Sequence, residues 1–441
     1  MTGKKSTETD APRSEETRSG SYFVSNYPPY GCWTDQGADE FHRELLQPPK
    51  KNVPLGIYIH IPFCRLRCKF CYFKIYTGKN SKEIQRYLDG TLHELEVYAN
   101  SPLVSSRKPR FVYFGGGTPS YLSSRQLAKL ASGMQALLPW DDAEEVAFEC
   151  EPGTLTEPKL RAIRDLGVTR LSLGVEHFDD EILSLNGRAH LSKEIFRAYE
   201  YARSIDFPQI NVDLIAGMMG ETWDKWRSSV DHALDLQPDS ITLYQMELPH
   251  NTSISREMRD RGLAAGPVAD WQTKRDWVKY GFEQFEKLGY PVIDGYTAVK
   301  DPQRTRFVYR ELLWRGADMV GIGNSAIGHL GGTHYQNEAS FEGYLDRIES
   351  DRLPVGRTFQ LNHQELLIRE LILQLKFGQV SRQYFQNKFD VDIHSHFAEP
   401  IGRLQQTGLL EARDGDLTLT REGLLRVDGL LPQFFLPQHL S

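Results

Sequence analysis

Several things are scarce in this sequence, and each scarcity excludes a class. Only five cysteines occur in 441 residues, too few for a fold stapled by disulfides. No apolar run approaches the ~20 residues of a membrane-spanning helix. The first twenty residues, Met1 to Gly20, are polar and charged without an apolar centre, so they do not read as a secretory signal. Positive charge is not in excess: 52 Lys and Arg stand against 59 Asp and Glu, a formal net charge of −7. General nucleic-acid binding wants a basic face and is not expected. These absences place the chain in the cytoplasm, where thiols stay reduced. The length suggests two or three domains, and 40% hydrophobic and 11% aromatic residues suffice for a sizeable core.

The few cysteines are concentrated. Cys64-Arg65-Leu66-Arg67-Cys68-Lys69-Phe70-Cys71 holds three of the five within eight residues. At that density in a reducing compartment, metal ligation is the favoured reading over disulfide pairing. Three thiolates leave one iron of a [4Fe–4S] cluster free for chemistry. A zinc site completed by His60 is the alternative, although the paired C-x2-C knuckles of ribbon-type zinc sites are missing. Cys32 is a remote candidate for an extra ligand, and Cys150 is expected to be structural.

From residue 55 short strand-like runs alternate with helical runs. The strands are Gly56–Ile61, Phe111–Phe114, Glu145–Glu151, Arg170–Glu176, Gln209–Ile215 and Ser240–Met246. Helices are expected near 82–100, 123–138, 156–166, 192–205 and 221–236. Such alternation predicts a parallel sheet with helices outside, here a partial (β/α)6 barrel in an α/β fold. The strands alternate in polarity. Ile57, Ile59 and Ile61 oppose Tyr58 and His60, and Val212 and Leu214 oppose Asn211 and Asp213. With the aliphatic set against the helices, the polar set points inward and implies a polar ligand. Gly115-Gly116-Gly117-Thr118-Pro119 follows the second strand, where glycines let a backbone approach a ligand. It is not a Walker loop, because no Lys-Ser/Thr pair follows.

Residues 1–50 begin as a polar tail, but Tyr22, Phe23, Tyr27, Tyr30 and Trp33 predict a strap or lid over the main domain. Residues 265–300 suggest a long helix and then a strand near Tyr290–Thr297, and Asp318–Gly323 a further short strand. Beyond about 345 the pattern changes. Helices near 362–376, 381–388 and 393–406, a strand Asp416–Thr420 and a last helix from 421 predict a helical domain with a wing. The expected division is 1–50, a tail and possible lid; 51–345, the barrel; and 346–441, the helical and winged domain.

These motifs resemble a known family. Tyr58-Ile59-His60-Ile61-Pro62-Phe63-Cys64, the C-x3-C-x2-C run, Gly115–Pro119, Glu149-x-Glu151-Pro152, Leu173-Gly174-Val175, Gly187-Arg188-x-His190 and Asp213-Leu214-Ile215-x-Gly217 stand in the order of the radical S-adenosylmethionine (SAM) enzymes. The group is that of oxygen-independent coproporphyrinogen III oxidase and the related haem chaperone. The resemblance implies that Cys64, Cys68 and Cys71 hold a [4Fe–4S] cluster and that SAM chelates its free iron. It implies SAM contacts at Tyr58, Phe70, Gly116, Gly117, Thr118, Glu149, Arg188 and Asp213, and it places Glu176 where the oxidase contacts a second SAM through glutamine. It further implies a tetrapyrrole or other small-molecule substrate and a one-electron donor such as flavodoxin or ferredoxin.

The chain also departs from the oxidase pattern. Phe73 stands where the oxidase has a further cysteine, as in chaperone-like members. Tyr309-Arg310-Glu311-Leu312-Leu313-Trp314 stands for the family's His-Asn-x-x-Tyr-Trp motif. Oxidative decarboxylation in porphyrin biosynthesis is therefore the leading expectation. A haem-binding chaperone and a radical methyl or methylene transferase are the alternatives.

Overall fold

The structure is a computed structural model and describes residues 15–21 and 23–440. Tyr22 and the first part of the polar tail lie outside the described residues.

Eleven strands form one sheet. In chain order they are β1 (Leu55–Ile61), β2 (Pro109–Gly116), β3 (Glu145–Cys150), β4 (Arg170–Glu176), β5 (Gln209–Ala216), β6 (Ser240–Gln245), β7 (Thr297–Val299), β8 (Asp318–Ile322), β9 (Ile327–Leu330), β10 (Thr333–Asn337) and β11 (Val355–Gln360). Their spatial order is β11-β10-β9-β8-β1-β2-β3-β4-β5-β6-β7. The strands from β8 through β1 to β6 run parallel, and β7 and β9 to β11 flank them antiparallel. The expected partial barrel is therefore present, with a seventh parallel strand, β8, inserted beside β1. The sequence marked β8 as a strand but gave no sign of its neighbour.

The polarity of the strands comes from where they sit. Ile57, Ile59 and Ile61 on β1 and Leu171, Leu173 and Val175 on β4 are fully buried in the main hydrophobic core. Burial of each such side chain contributes about 1.5–3 kcal/mol. The opposite faces carry Tyr58, Glu149, Ser172 and Asp213 into the barrel. Local signals set the helix starts: Asn80 and Glu83 form a capping box on the first long helix, and Ser123 and Gln126 form one on the helix Ser124–Leu137.

Three readings shift. The expected long helix covers only Trp271–Lys287. The strand expected near Tyr290–Thr297 begins at Thr297, because the Asp294 carboxylate accepts from the amides of Tyr296 and Thr297 at 2.8 Å and makes a turn there. The single C-terminal strand is a hairpin, Leu410–Arg413 with Asp416–Leu419, turning through Asp414 and Gly415, both at positive φ. With Gln379–Val380 it forms a three-stranded wing.

A second hydrophobic core gathers Leu371, Phe385, Leu404 and Leu417 from the C-terminal helices and wing, and also Val24 and Tyr27 from the strap. The strap is thus held from both sides. Tyr27 packs on Phe435, with ring centroids 4.8 Å apart, and its hydroxyl pairs with His439 Nδ1 at 2.8 Å. Trp33 stacks on His334 at 5.0 Å. Among the described residues no helix is long and apolar enough to cross a membrane.

Candidate functional site

The site is built at the C-terminal edge of the parallel strands, where barrel folds carry their chemistry. β1 ends at Ile61, and the loop that follows closes on itself. The Tyr76 amide donates to Pro62 O at 2.7 Å and the Cys64 amide to Tyr76 O at 3.1 Å. Inside it, Cys71 N–H donates to Cys68 O at 3.2 Å, a tight turn that gathers the three thiols. Residue 69 is pinned from both sides: its amide donates to Asn186 O, and its carbonyl accepts from the Ser253 amide, each at 3.0 Å.

The thiols of Cys64, Cys68 and Cys71 are free and half-buried. Thr118 Oγ1 donates to Cys64 Sγ at 3.3 Å, and Arg188 Nη1 to Cys68 Sγ at 3.2 Å. Burial pushes the thiols of Cys64 and Cys71 up, to about 11 and about 12. Without a metal they are neutral, and ligation exchanges their protons for a cation. Gly117 makes room for them. A Cβ there would lie 2.9 Å from Ile61 O and 3.0 Å from Cys64 Sγ. Gly116, at φ +111°, packs on the His60 ring. Among the described residues no three Cys, His, Asp or Glu side chains converge on a single ion. A cubane spreads its irons and does not ask for that convergence. Three thiols on one loop, with donors aimed at two of the sulfurs and a glycine cradle behind, fit a [4Fe–4S] cluster.

His60, the alternative fourth ligand, is held elsewhere. Its Nδ1 pairs with the Tyr58 hydroxyl at 3.0 Å, and burial lowers it to about 4, so it is neutral. Cys150 lies in the main core, and Cys32 sits on the strap with Tyr27 and Glu365 as neighbours.

A cavity of about 340 Å³ opens beside the cysteine loop. Of the residues singled out from sequence, Phe70, Gly116, Gly117, Thr118, Glu149, Glu176, Arg188 and Asp213 line it. Tyr58 does not. It lies deeper in the barrel, where its charge would feel Glu149 and Tyr309.

Carboxyls dominate the polar wall. Glu149 accepts from the Tyr113 hydroxyl at 2.6 Å and from the Gly116 amide at 3.2 Å. Asp213 accepts from Asn211 Nδ2 at 2.8 Å. Glu176 stands at a bulge of β4 with φ +66°, a conformation costly for a side chain. Burial raises all three, Glu149 and Glu176 to about 7 and Asp213 to about 6. Arg188 is the cation among them. It lies 3.6 Å from Glu176 and donates through Nη2 to Gly174 O at 2.5 Å.

Sequence reasoning assigned no role to three residues that frame this site. Arg65 grips Glu151 with two bonds of 2.9 and 3.0 Å, and His190 Nδ1 meets the same carboxylate at 2.8 Å. Burial raises the Glu151 carboxyl, but His190 and Arg65 outweigh it and hold it at about 2. This brace ties the cysteine loop to the ends of β3 and β4. The signal was present, since Glu151 and His190 lie inside the quoted motifs. Phe23 of the strap, Tyr244 and Glu247 also line the cavity, and Phe23 meets Tyr244 edge-on at 5.7 Å. Their convergence has no trace in local sequence. Tyr309, in the divergent motif, packs on Tyr113 at 4.6 Å, and Arg310 Nη1 donates to Asp294 at 2.7 Å inside the barrel wall.

Comparison with known proteins agrees with this geometry. Residues 58–233 match the radical SAM superfamily and residues 361–426 the HemN C-terminal domain. The chain is 29% identical over 377 residues to the "Heme chaperone HemW" of Bacillus subtilis, covering 83% of this chain and 96% of that protein. It is 28% identical over 418 residues to the oxygen-independent coproporphyrinogen III oxidase of Pseudomonas aeruginosa, covering 90% and 89%. The solved coproporphyrinogen III oxidase (HemN) of Escherichia coli shares the fold, with TM-score 0.81 and 23% identity over 93% of this chain and 96% of that one.

Proposed function

We propose that this chain, which belongs to the radical SAM superfamily and carries a HemN-type C-terminal domain, oxidatively decarboxylates propionate side chains of a coproporphyrinogen-type tetrapyrrole. The observation that carries the reading is the meeting of three loop thiols with a cavity walled by Glu149, Asp213 and Arg188. When bound to those thiolates, a [4Fe–4S] cluster with SAM supplies a 5′-deoxyadenosyl radical able to abstract hydrogen.

The chain's own residues do the rest. Arg188, whose Nε is buried without a partner while its terminal nitrogens hold Cys68 and Gly174, offers a charge-assisted hydrogen bond to a carboxylate. Glu149 and Asp213 accept from amine or hydroxyl groups. Phe70 offers an aromatic face beside the thiols while its other side packs with Met218 and Met219. Tyr244 and the strap residue Phe23 cover the far side of the cavity and exclude water from the reacting centre. The substrate assignment is supported by the relatives named above, two of which are coproporphyrinogen III oxidases.

The test is 5′-deoxyadenosine yield from reconstituted, reduced protein with SAM under strict anaerobiosis, with and without coproporphyrinogen III. A yield that rises with the porphyrinogen, accompanied by protoporphyrinogen IX, is the expected result. A substrate-independent yield removes this substrate and leaves the radical chemistry. A second reading, a haem-binding chaperone, is favoured by Phe73 and by the match to HemW over almost its whole length. It predicts a Soret shift at micromolar haem, and a flat haem titration rules it out.

A further inference from the structure

We propose that Glu247 is the residue by which the cavity recognises its substrate: its free carboxylate oxygen accepts from a ring N–H, the donor that each pyrrole of a porphyrinogen carries. The proposal rests on the tetrapyrrole reading above and deepens it by naming the substrate group that is read. The cavity is divided by charge. Its three arginines all belong to the cysteine-loop end and are anchored there. Arg65 holds Glu151, Arg188 holds Cys68 and Gly174, and Arg67 Nη2 donates to Cys71 O at 3.1 Å. The opposite end, formed by Phe23, Tyr244, Gln245 and Glu247, carries one carboxyl and no cation. Gln245 Nε2 donates away from the cavity, to Leu425 O at 2.9 Å. A propionate finds no counter-charge at this end, whereas an N–H finds an acceptor.

Glu247 is only 9% exposed, and its Oε2 is buried without a hydrogen-bond partner among the described residues. A buried carboxylate oxygen left unpaired is costly, so it calls for a donor from outside the chain. The groups around the carboxyl hold it in place without filling that oxygen. The Ser21 hydroxyl accepts from the Leu248 amide at 2.9 Å and keeps its own proton for the Glu247 carboxyl. Lys274 is fully buried. Its ammonium donates to Thr17 Oγ1 at 2.6 Å and to Met246 O at 2.7 Å, lies 3.8 Å from the centre of the Trp271 ring, and faces Glu247 with its charge. From the C-terminal domain Lys376 and Asp428 face it as a pair, 2.8 Å apart. Burial raises the Glu247 carboxyl and Asp428 adds to the rise, while Ser21, Lys274 and Lys376 oppose it.

The unmet groups of the wall are complementary in kind. At the cysteine-loop end the buried polar atoms without partners are donors, Arg67 Nε and Arg188 Nε. At the opposite end the one such atom is an acceptor, Glu247 Oε2. A ligand that meets both has acidic groups on one side and an N–H on the other, as a pyrrole bearing propionates does. Aromatic faces stand beside the acceptor. Phe23 and Tyr244 meet edge-on, and Tyr296 lies behind them with centroids at 6.2 and 6.0 Å. At the rim Tyr72 and Phe73 stack at 4.4 Å, each 40% exposed, and the Tyr72 phenol feels the charge of Glu247. Such faces take a flat heteroaromatic ring, and a site that bonds a ligand N–H rejects the isostere lacking it.

The experiment uses the full chain, reconstituted with iron and sulfide and kept anaerobic. The probes are 3-(pyrrol-3-yl)propionate and its furan isostere, in which oxygen replaces the ring N–H. Binding is titrated by ligand-observed NMR at pH 6 and pH 8, so no turnover is needed. At pH 8 the wild type should bind the pyrrole about tenfold or more tighter than the furan. The preference should shrink at pH 6, where more of the carboxyl is protonated. E247Q keeps the shape and loses the charge. It should lose most of the preference and its pH dependence, with wild-type iron content and no weaker hold on the furan. Equal wild-type affinity for the two probes overturns the proposal. So does a preference that survives in E247Q, or an equal weakening of both probes there, which is the mark of a purely structural role. With coproporphyrinogen III, E247Q should raise KM and leave kcat nearly unchanged. A wild type that prefers the pyrrole yet makes no protoporphyrinogen IX overturns the reaction assigned above and leaves the recognition by Glu247 standing.

Discussion

Arg188 donates through Nη1 to the Cys68 sulfur at 3.2 Å, from a position 120 residues further along the chain, beyond the end of β4. Its other terminal nitrogen holds the Gly174 carbonyl. One guanidinium therefore links the cysteine loop, the strand end and the cavity.

Removal of that link should be felt at the ligand before it is felt in the fold. R188A is expected to weaken SAM binding by about 10- to 100-fold, the range of a lost charge-assisted hydrogen bond. R188K keeps the charge without the planar fork and should fall between. Equilibrium dialysis with labelled SAM, alongside iron content, measures both.

SAM binding should also depend on pH. Burial first, and for Glu149 and Glu176 the neighbouring Asp213 as well, raises these carboxyls: Glu149 and Glu176 to about 7 and Asp213 to about 6. A raised carboxyl is neutral below its folded value and charged above it. SAM carries a sulfonium and an ammonium group, so its affinity should increase as pH rises from 6 to 8. The three groups titrate together, so the midpoint belongs to the set. E149Q should lower the affinity at pH 8 and flatten the profile.

Gly117 has no room for a methyl group. G117A would press on Ile61 O and Cys64 Sγ at about 3 Å, the first a backbone atom that cannot turn aside. The variant should fold with wild-type circular dichroism but retain less than half the iron, as read by iron and sulfide analysis with the visible absorption band. Full iron loading in G117A would overturn the role of Gly117 in making room for the thiols.

Glu94 offers a stability test remote from the cavity. It accepts from the Gly323 amide, Asn337 Nδ2 and the Tyr344 hydroxyl at 2.8, 2.6 and 2.7 Å. Burial raises it to about 8 despite those bonds. In the unfolded chain it ionises near its ordinary value of about 4.3. Its contribution is therefore complete below that value and declines as pH rises to about 8. Thermal unfolding should show Tm falling over that window, and E94Q, which cannot ionise, should show a shallower decline.

Much of this protein was legible along the chain. The spacing of Cys64, Cys68 and Cys71 marked three thiols gathered on one loop, because residues of one short loop are neighbours in sequence and in space. The two-residue alternation on β1, β3, β4 and β5 told which side chains face the barrel, because a strand's pleat decides that locally. Glu149 and Asp213 could be picked out for the same reason, and Gly117 from the glycine run that ends β2.

Tertiary structure decided what depends on distant segments meeting. β8 pairs with β1 across more than 250 intervening residues, and its sequence only says strand. Phe23 reaches Tyr244, Arg65 and His190 both reach Glu151, and Lys69 reaches Ser253. No periodicity links such pairs, since each is set by how whole elements pack. The sequence by itself thus determined the clustering of the three cysteines, the strand faces and the kind of chemistry. The cover of the cavity, the brace of the cysteine loop and the face it turns outward were decided by packing, because burial and hydrogen bonding select among chain crossings that local residues leave open.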